Sequence, residues 1–587
     1  MRSYKEKWQE NIWKALLYIS KEKNIKKNDI IAEIPPDPDL GDIAFPMFQF
    51  AKYLRISPKD IAKKVADFFK SDEFLKTDVH NAQIELAGPY INIKLKKEEI
   101  ISEVITTINQ MARAYGKGEK LAGQRIMIEY SCPNTNKPLH LGHLRNDSIG
   151  ESLSRILKAN GAEVFKVNLI NNRGIHICKS MLAYKEYGNN KNPIDDKLKP
   201  DHFVGKYYVL FNEKVKDNPA LEEEARCMLK AWEMGDKEIT GLWEKMNKWA
   251  ISGIKETYKE TGISFDKYYF ESETYLSGKK EVHKGYKNNI FYKKEDNSIW
   301  IDLTPYSLDH KVLLRGDGTS LYITQDIGTA IKRYKDWPFD NLIYVVASEQ
   351  NYHFKVLFKV LELLGFSWAK NLYHLSYGMV NLPDGKMKSR EGTVVDADNL
   401  LEELRSLAKK EIILREREKE IQNIDSISKK IALGALNYYL LVTTPIKDMI
   451  FNPDESISFT GNTGPYLQYT GARICSILRK YQKKKENFKG GRFSANLLIV
   501  KEEWEIVKLI SSYPEQVEAA AISFNPSIIA LFIYNLAKTF SRYYHDNPVL
   551  HNEDPNLVIS RIKLLNAIKE VFINAFELLG IPFLTKM

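Results

Sequence analysis

Apolar residues along this chain follow two spacings, one typical of buried strands and the other of amphipathic helices. Residues 125–130 (RIMIEY) form a short apolar, β-branched run, which predicts a strand buried in a parallel sheet. After a polar loop, Ile149, Leu153 and Ile156 recur at helical spacing. Open α/β sheets bind nucleotides where a strand, a loop and a helix N-terminus follow one another, so this segment is a candidate site.

The same order of strand, polar loop and helix recurs further along the chain. Residues 164–170 and 342–347 predict two more buried strands, and a helix is predicted to begin near Gln325. Together these segments predict an α/β domain over residues 116–395.

The flanking segments have other patterns. Residues 1–115 combine amphipathic helices with alternating strands, which predicts a separate small α/β domain. Residues 187–300 are charged, Trp-rich and helical in pattern, as expected for an insertion. Residues 396–587 are helical in pattern to the end. The predicted fold class is α/β plus all-α in a multidomain chain.

Composition narrows the class of protein. A hydrophobic content of 44% and a charged content of 28% are those of a globular protein, and the net charge of +10 is compatible with a polyanionic partner. Four cysteines without a CxxC pair predict no disulfide framework and no zinc site. No run of about eighteen apolar residues occurs, so no membrane partner is predicted. We expect a cytoplasmic monomer.

The loop after the first strand carries the candidate chemistry. His140 and His143 lie three residues apart at the predicted helix start, so their rings point the same way. Gly142 leaves room for an adenine or ribose against the backbone. Imidazole N–H groups beside a helix N-terminus can stabilise negative charge that develops on a phosphate. An ordinary capped turn would show the same pattern, so a second motif is needed.

That second motif is present. The segment PNTNKPLHLGH (residues 133–143) resembles the HIGH-type motif of class I aminoacyl-tRNA synthetases, in the longer form typical of arginyl-tRNA synthetase. Residues 386–393 (KMKSREGT) resemble the second motif of that class. The chain is therefore identified as a member of the arginyl-tRNA synthetase family. The resemblance implies a Rossmann-like catalytic domain, an N-terminal additional domain and a C-terminal helical anticodon-binding domain.

The resemblance also implies roles for individual residues. L-arginine would be held at its guanidinium by Glu129 and Asp326 with Tyr322 beside them, and at its other end by Asn134 and Gln350. The residues implied for ATP are His140, Gly142, His143, Met379, Val380, Lys386, Met387 and Lys388, with His353 as a neighbour. Those implied in catalysis are His140, His143, Lys137 and Lys386. Mg²⁺ is expected on the ATP phosphates, with no protein-held metal site.

One departure from the class motif concerns the phosphates. Where the class has a final lysine in K-M-S-K, this chain has Ser389. Lys137, just before the first motif, is the matching substitute in arginyl enzymes. Which of Lys137, Lys386 and Lys388 reaches the phosphates is left open by the sequence.

The resemblance implies tRNA(Arg) as the macromolecular partner, and not DNA. In the N-terminal domain Tyr90 and Asn92 match positions that contact the tRNA D-loop, although a Tyr and an Asn can simply complete a strand. In the helical domain Tyr466, Tyr469 and Arg473 offer stacking planes and charge. Aromatic residues of this kind also pack helix against helix.

Alternative functions share part of these features. A small adenylyltransferase would share the first motif without needing the helical C-terminal third. Cysteinyl- and glutamyl-specific synthetases give no reason for Glu129 and Asp326. A catalytically inactive tRNA-binding paralogue is the alternative from another functional class. Whether tRNA is required for arginine activation, and which bases are read, is not fixed by the sequence.

Overall fold

The computed structural model describes residues 2–20, 25–33, 35–37, 40–70, 82–383, 395–415 and 423–587. The chain divides into two compact units. The first comprises Met1–Gly116, Ile474–Glu515 and Asn535–Phe572, and the second comprises Lys117–Arg473, Gln516–Tyr534 and Ile573–Met587. The strand–loop–helix segments that the sequence links to nucleotide binding all belong to the second unit.

The first 116 residues form helices around a small antiparallel sheet. Alternation in residues 82–95 produces two strands around a turn, and the sheet order is β1-β3-β2. In α3, Pro58 occupies the first turn and the Ser57 side chain caps the helix by accepting from the Asp60 N–H, while one apolar face is buried. The elements are α1 (Arg2–Ser20), β1 (Ile43–Pro46), α2 (Ala51–Leu54), α3 (Pro58–Phe68), β2 (Ala82–Ala87), β3 (Tyr90–Leu95) and α4 (Lys97–Met111).

A five-stranded parallel sheet forms the core of the second unit. Its order is β11-β10-β4-β5-β6, and the predicted buried runs supply β4, β5 and β10. The elements are β4 (Arg125–Glu129), α5 (Leu141–Ala159), β5 (Glu163–Ile170), α6 (Ile175–Tyr187), α7 (Pro200–Asp217), α8 (Leu221–Glu233), α9 (Lys237–Thr261), β6 (Lys267–Phe270), α10 (Glu271–Lys287), β7 (Tyr292–Lys293), β8 (Ile299–Ile301), β9 (Lys311–Leu314), α11 (Tyr322–Asp336), β10 (Asn341–Ala347), α12 (Asn351–Leu363) and β11 (Leu372–Tyr377).

The strand order indicates where a ligand would bind. The order along the sheet reverses between β4 and β10, and the loops that leave these two strands diverge there. Ligands of open α/β sheets bind in the crevice that such a reversal leaves at the carboxyl ends of the strands. The loop after β4 leads to His140, and the loop after β10 contains Gln350.

The insertion differs from the expectation for residues 187–300. The helical run ends at Thr261, and the next segment, β6, is the edge strand of the parallel sheet. Strands β7, β8 and β9 then form a separate antiparallel sheet. The four residues of β6 (KYYF) are too short and too polar to give a strand signal in sequence. Helix α11 also begins earlier than predicted, at Tyr322.

The rest of the chain is mostly helical. Among the helices described, none is both long and apolar enough to cross a membrane. The elements are β12 (Val380–Asn381), α13 (Ala397–Leu414), α14 (Ile424–Val442), β13 (Met449–Ile450), α15 (Pro453–Ser456), α16 (Gly464–Lys483), α17 (Lys501–Ile522), α18 (Ser527–Asp546) and α19 (Pro555–Leu579).

Residues 577–583 complete the second unit by hydrogen-bonding to α5 and α14. The Ser152 hydroxyl of α5 donates to the Leu578 carbonyl at 2.8 Å. The Asn437 amide of α14 donates to the Gly580 carbonyl at 2.7 Å. One face of the helix that begins at the first motif is therefore covered by the last part of the chain.

In the first unit, a single buried carboxylate links segments far apart in sequence. Asp42 accepts from the Leu95 N–H at 3.0 Å and from the indole N–H of Trp504 at 3.1 Å. Residues 1–116 and the helical segment that contains Trp504 therefore share one core.

Candidate active site

The loop between β4 and α5 turns sharply and is tied to the sheet. Ser131 (φ 73°) and Cys132 (φ 48°) both adopt left-handed backbone conformations, which cost energy for residues with a side chain. The Asn146 amide holds the turn: its oxygen accepts from the Ser131 N–H at 2.6 Å and its nitrogen donates to the Val345 carbonyl at 2.8 Å. Such strain at the carboxyl edge of a sheet is typical of functional loops.

The two histidines of the first motif are oriented by backbone N–H groups. His140 caps α5 by accepting from the Gly142 N–H at its Nδ1 (3.1 Å), and His143 Nδ1 accepts from the His140 N–H (3.1 Å). Because both Nδ1 atoms act as acceptors, each neutral ring carries its proton on Nε2. The ring centroids lie 3.9 Å apart. The pair thus offers two adjacent Nε2–H donors.

Both rings are neutral at physiological pH. Burial, with a contribution from the Lys137 ammonium, lowers the pKa of His140 to about 3. Burial likewise lowers the pKa of His143 well below its usual value. Neutral rings of this kind can donate hydrogen bonds but carry no positive charge.

Gly142 leaves space beside the backbone, and the His140 cap also requires a glycine at this position. A Cβ atom at this position would lie 3.0 Å from the Nδ1 and Cε1 atoms of His140. That approach is tighter than ordinary van der Waals contact, so a side chain would displace the ring that caps α5. The spacing of the motif thus follows from the geometry of the first helical turn.

Lys137 lies in a cavity of about 220 Å³ that also contains His140 and, from α7, His202 and Tyr208. Burial lowers the pKa of the Lys137 ammonium. Among the described residues, none forms an ion pair with it. A half-buried cation that forms no ion pair with the described residues is suited to bind an anion such as a phosphate.

Glu129, at the end of β4, is buried and already paired. Its Oε2 accepts from the Arg333 guanidinium, which is itself 1% exposed and faces the rings of Tyr269 and Tyr344. Burial raises the pKa of Glu129, and the Arg333 charge opposes that rise. A substrate cation would therefore meet Glu129 with one of its oxygens engaged.

Asp326 interacts with Glu129 through its charge and also contacts His353. Its Oδ2 atom accepts a hydrogen bond from His353 Nε2 at 2.6 Å. Its charge contributes to raised pKa values at Glu129 and at Tyr322, after burial in each case. The structure thus brings Glu129, Tyr322 and Asp326 into one electrostatic group, in which the Tyr322 side chain is 72% exposed.

Glu271, the first residue of α10, is a further carboxyl of this group that sequence reasoning missed. Burial, followed by repulsion from Asp326, raises its pKa to about 7. With its amide nitrogen directed at Glu271, Gln325 accepts from Arg173 Nη1 at 2.8 Å. Its place at the carboxyl edge of the sheet depends on β6, which gives no strand signal in the sequence, so no local signal marks Glu271.

Asn134 and Gln350 lie at the same edge. Both are exposed, Asn134 in the loop after β4 and Gln350 in the turn after β10. Because β4 and β10 are neighbouring parallel strands, these amides flank the crevice.

Met379 and Val380 follow β11. The Met379 side chain is 37% exposed, whereas the Val380 side chain is 2% exposed and therefore closed to a ligand. The buried Arg145 guanidinium of α5 donates to the carbonyls of Gly378 (2.7 Å) and Met379 (3.0 Å), which fixes this segment to the first-motif helix. Lys386, Met387 and Lys388 lie outside the described residues.

One cluster has the spacing of a metal site. Asp201, His202 and Asp398 place one ligand atom each within 4.8 Å of one another. The Lys199 ammonium lies 2.6 Å from Asp398 and 3.3 Å from Asp201, so a protein cation already balances these carboxylates. The cluster is better described as an ion-pair network than as a metal centre.

The predicted tRNA-contacting residues lie in different environments. Tyr90 is half-buried with Phe48 5.5 Å away, and Asn92 is 2% exposed. In α16, the Tyr469 ring faces the Arg473 guanidinium at 4.7 Å. Tyr466 lies 6.1 Å from Tyr534. Four of these five residues, all except Asn92, are partly accessible, and accessible rings are what base stacking requires.

Three family models match successive parts of this chain. The model for "tRNA synthetases class I (R), catalytic domain" matches residues 104–453, that for "Arginyl tRNA synthetase N terminal domain" residues 6–95, and that for "DALR anticodon binding domain" residues 467–587. A protein of Treponema denticola named arginine–tRNA ligase is 54% identical over 594 residues, which cover 100% of both chains. The chain belongs to the arginyl-tRNA synthetase family.

Other relatives are similar over their whole length. A Borreliella burgdorferi protein, also named arginine–tRNA ligase, is 46% identical over 598 residues, with 100% of both chains covered. The solved arginyl-tRNA synthetase of Thermus thermophilus is 24% identical, covers 98% of this chain and 99% of its own, and superposes with a TM-score of 0.79. The expected fold class is thereby confirmed: a parallel-sheet catalytic region of a class I synthetase, an N-terminal α/β region and C-terminal helices.

Proposed function

We propose that this chain ligates L-arginine to tRNA(Arg) in two steps. ATP first activates arginine to arginyl-adenylate, with release of pyrophosphate, and arginine is then transferred to the 3′-terminal adenosine of the tRNA. Family membership supports the reaction. The observation that carries the substrate assignment is the interacting group of carboxyls Glu129, Glu271 and Asp326, of which Glu129 and Glu271 are buried and Asp326 is half-buried.

These three carboxyl side chains favour a guanidinium over other cations. A planar guanidinium presents several N–H donors in a fixed fork and can satisfy Asp326 and Glu271 together, with the Tyr322 hydroxyl beside them. A lysine ammonium is a point charge without that fork. It would leave one buried carboxylate unpaired, at a cost of about 3 kcal/mol or more. We assign Asn134 and Gln350 to the amino and carboxylate end of the substrate, because they flank the crevice.

In the activation step, a carboxylate oxygen of arginine attacks the α-phosphorus of ATP, and the bond from that phosphorus to pyrophosphate breaks. The Nε2–H donors of His140 and His143 can stabilise the negative charge on the phosphate oxygens without giving up a proton. The Lys137 ammonium balances the charge of the phosphates from its cavity. Lys386, Met387, Lys388, Met379 and Val380 remain proposed ATP contacts on the resemblance alone.

Mg²⁺ would be carried on the ATP phosphates. In the described part of the chain, the one cluster with metal-ligand spacing is already balanced by Lys199. Phosphate and water oxygens suit Mg²⁺ without a dedicated protein cage.

In the transfer step, the 2′-hydroxyl of the terminal adenosine attacks the carbonyl carbon of the adenylate, and AMP leaves. Tyr90 and Asn92 are proposed for the tRNA D-loop, and Tyr466, Tyr469 and Arg473 for the anticodon region. For Asn92 this role requires local opening, because its side chain is buried. We also propose a monomer in the cytoplasm, and the four free cysteines support a reducing compartment.

Arginine-dependent exchange of pyrophosphate into ATP tests the proposal. Exchange should require arginine, with lysine as the negative control, and should be measured with and without tRNA(Arg). Exchange with arginine alone would keep the activity and show that tRNA is not needed for activation. Retained tRNA binding with no exchange under any condition would contradict the proposal and indicate an inactive tRNA-binding paralogue.

A further inference from the structure

A strongly basic turn follows helix α16 and is not used by the chemistry above. Residues 479–492 (RKYQKKKENFKGGR) contain seven basic residues and one acidic residue, in a chain whose net charge is +10. We call this segment the lysine turn. Among the described residues, six of its basic side chains are exposed and have no acidic partner within 4 Å: Lys480, Lys483, Lys484, Lys485, Lys489 and Arg492.

The backbone of the lysine turn is held in place. The rings of Tyr481 and Phe488 stack with centroids 5.9 Å apart and planes inclined by 22°. The Ser494 N–H donates to the Ser560 hydroxyl of α19 at 2.9 Å, and that hydroxyl donates to the Ser494 carbonyl at 3.0 Å. The basic side chains therefore project from an ordered segment.

Helix stabilisation accounts for only part of this charge. Lys480 and Lys483 lie in the last turn of α16, where cations interact favourably with the helix dipole. The dipole effect falls off within that turn, whereas the basic residues continue from Lys484 to Arg492. The charge beyond the helix end requires another explanation.

The residue types of the lysine turn indicate which class of partner it can bind. Tyr481 and Phe488 are its two aromatic residues, and they are 9% and 8% exposed. A membrane-binding segment needs an exposed apolar face, and base stacking needs an exposed ring. The other side chains between the cations, Gln482, Glu486 and Asn487, are polar and exposed. Such a surface suits the phosphate backbone of a nucleic acid.

We propose that the lysine turn binds the phosphate backbone of tRNA and does not read its sequence. The proposal rests on the proposed function, which supplies tRNA as the polyanion. Lys480, Lys483 and Lys484 lie three and four residues apart in α16 and the turn that follows, so they share one side. The role of the lysine turn is separate from base reading by Tyr466 and Tyr469, because contacts to phosphate carry no sequence information.

The test replaces Lys483, Lys484 and Lys485 together by Gln and measures the dissociation constant for tRNA(Arg) by filter binding between 50 and 200 mM KCl. Each lost phosphate contact should lower the slope of log affinity against log salt by about 0.9, so a decrease of about 2 to 3 is expected. Affinity at 50 mM should fall about tenfold or more, and by the same factor for an unrelated tRNA. Arginine activation at saturating tRNA should be unchanged.

Two control variants make the result specific. The same three lysines replaced by Arg keep the charge and should keep the wild-type slope. Lys216, Lys280 and Lys287, which are exposed in the second unit, are replaced by Gln to remove equal charge elsewhere. An unchanged slope in the turn variant, an equal loss in this dispersed variant, or different losses for the two tRNAs would overturn the proposal. A wild-type chain that binds no tRNA would instead count against the proposed function.

Discussion

At the residue scale, Lys137 is half-buried, has a lowered pKa and forms no ion pair in the described part of the chain. Its replacement by Met keeps the volume and removes the charge opposite the phosphates. We expect kcat for pyrophosphate exchange to fall about a hundredfold, with a smaller change in the KM for arginine. Steady-state kinetics at saturating ATP, with arginine varied, measure both constants. Unchanged turnover would assign the phosphate contact to another lysine.

Glu271 gives the site a dependence on pH. Its pKa is raised to about 7, so below pH 7 the carboxyl is protonated and can no longer pair with a guanidinium. The KM for arginine should rise about tenfold for each pH unit below 7 and level off above it. In the Glu271→Gln variant the KM should be high and nearly independent of pH from 6 to 8. The same pH dependence in both enzymes would assign the titration to another group.

At the element scale, two glycines let helices α10 and α11 cross closely. A Cβ on Gly278 would overlap the Thr324 carbonyl oxygen and lie 3.3 Å from the Gly328 nitrogen. These helices carry Glu271 and Asp326, so Gly278→Ala should both destabilise the fold by about 1–3 kcal/mol and raise the KM for arginine. Thermal unfolding and arginine titration provide the two measurements.

Gly241→Ala in α9 is the matched control. No atom lies within 4 Å of a Cβ at this position, so the substitution should stabilise the helix by about 0.5–1 kcal/mol. A similar loss of stability in both variants would show that helix packing around Gly278 is not the cause.

The elements that sequence predicted are those whose signals are local. Strands β4, β5 and β10 are continuous apolar runs because helices cover both faces of a parallel sheet, and the first motif marks a helix start. Strand β6 escaped notice because an edge strand of four residues leaves no such run. Glu271 was missed with it, since its significance depends on following a strand.

The pairing of Glu129 with Arg333 had no local signal either. Arg333 lies in a charged stretch, KRYKD, that is typical of a solvated helix face. Only the tertiary fold buries it beside Glu129. The neutral state of the two histidines is equally a property of burial and of backbone donors, which the sequence does not display.

At the scale of the whole molecule, Asp42 joins distant parts of one unit. Asn at this position would place an N–H group opposite either the Leu95 N–H or the Trp504 indole, both of which are donors. Asp42→Asn should therefore lower the free energy of unfolding by about 1–3 kcal/mol. Asp67→Asn at an exposed position is the control and should change it little. Equal effects in urea unfolding would contradict a linking role for Asp42.

The contact between Ser152 and Leu578 also constrains how the protein is made. These residues are 426 positions apart, and ribosomes add about 5–20 residues per second. Helix α5 therefore emerges roughly 20 to 85 s before the segment that covers it. During synthesis the helix of the first motif is therefore exposed for that interval, and chaperones can reach the face that Leu578 and its neighbours later cover.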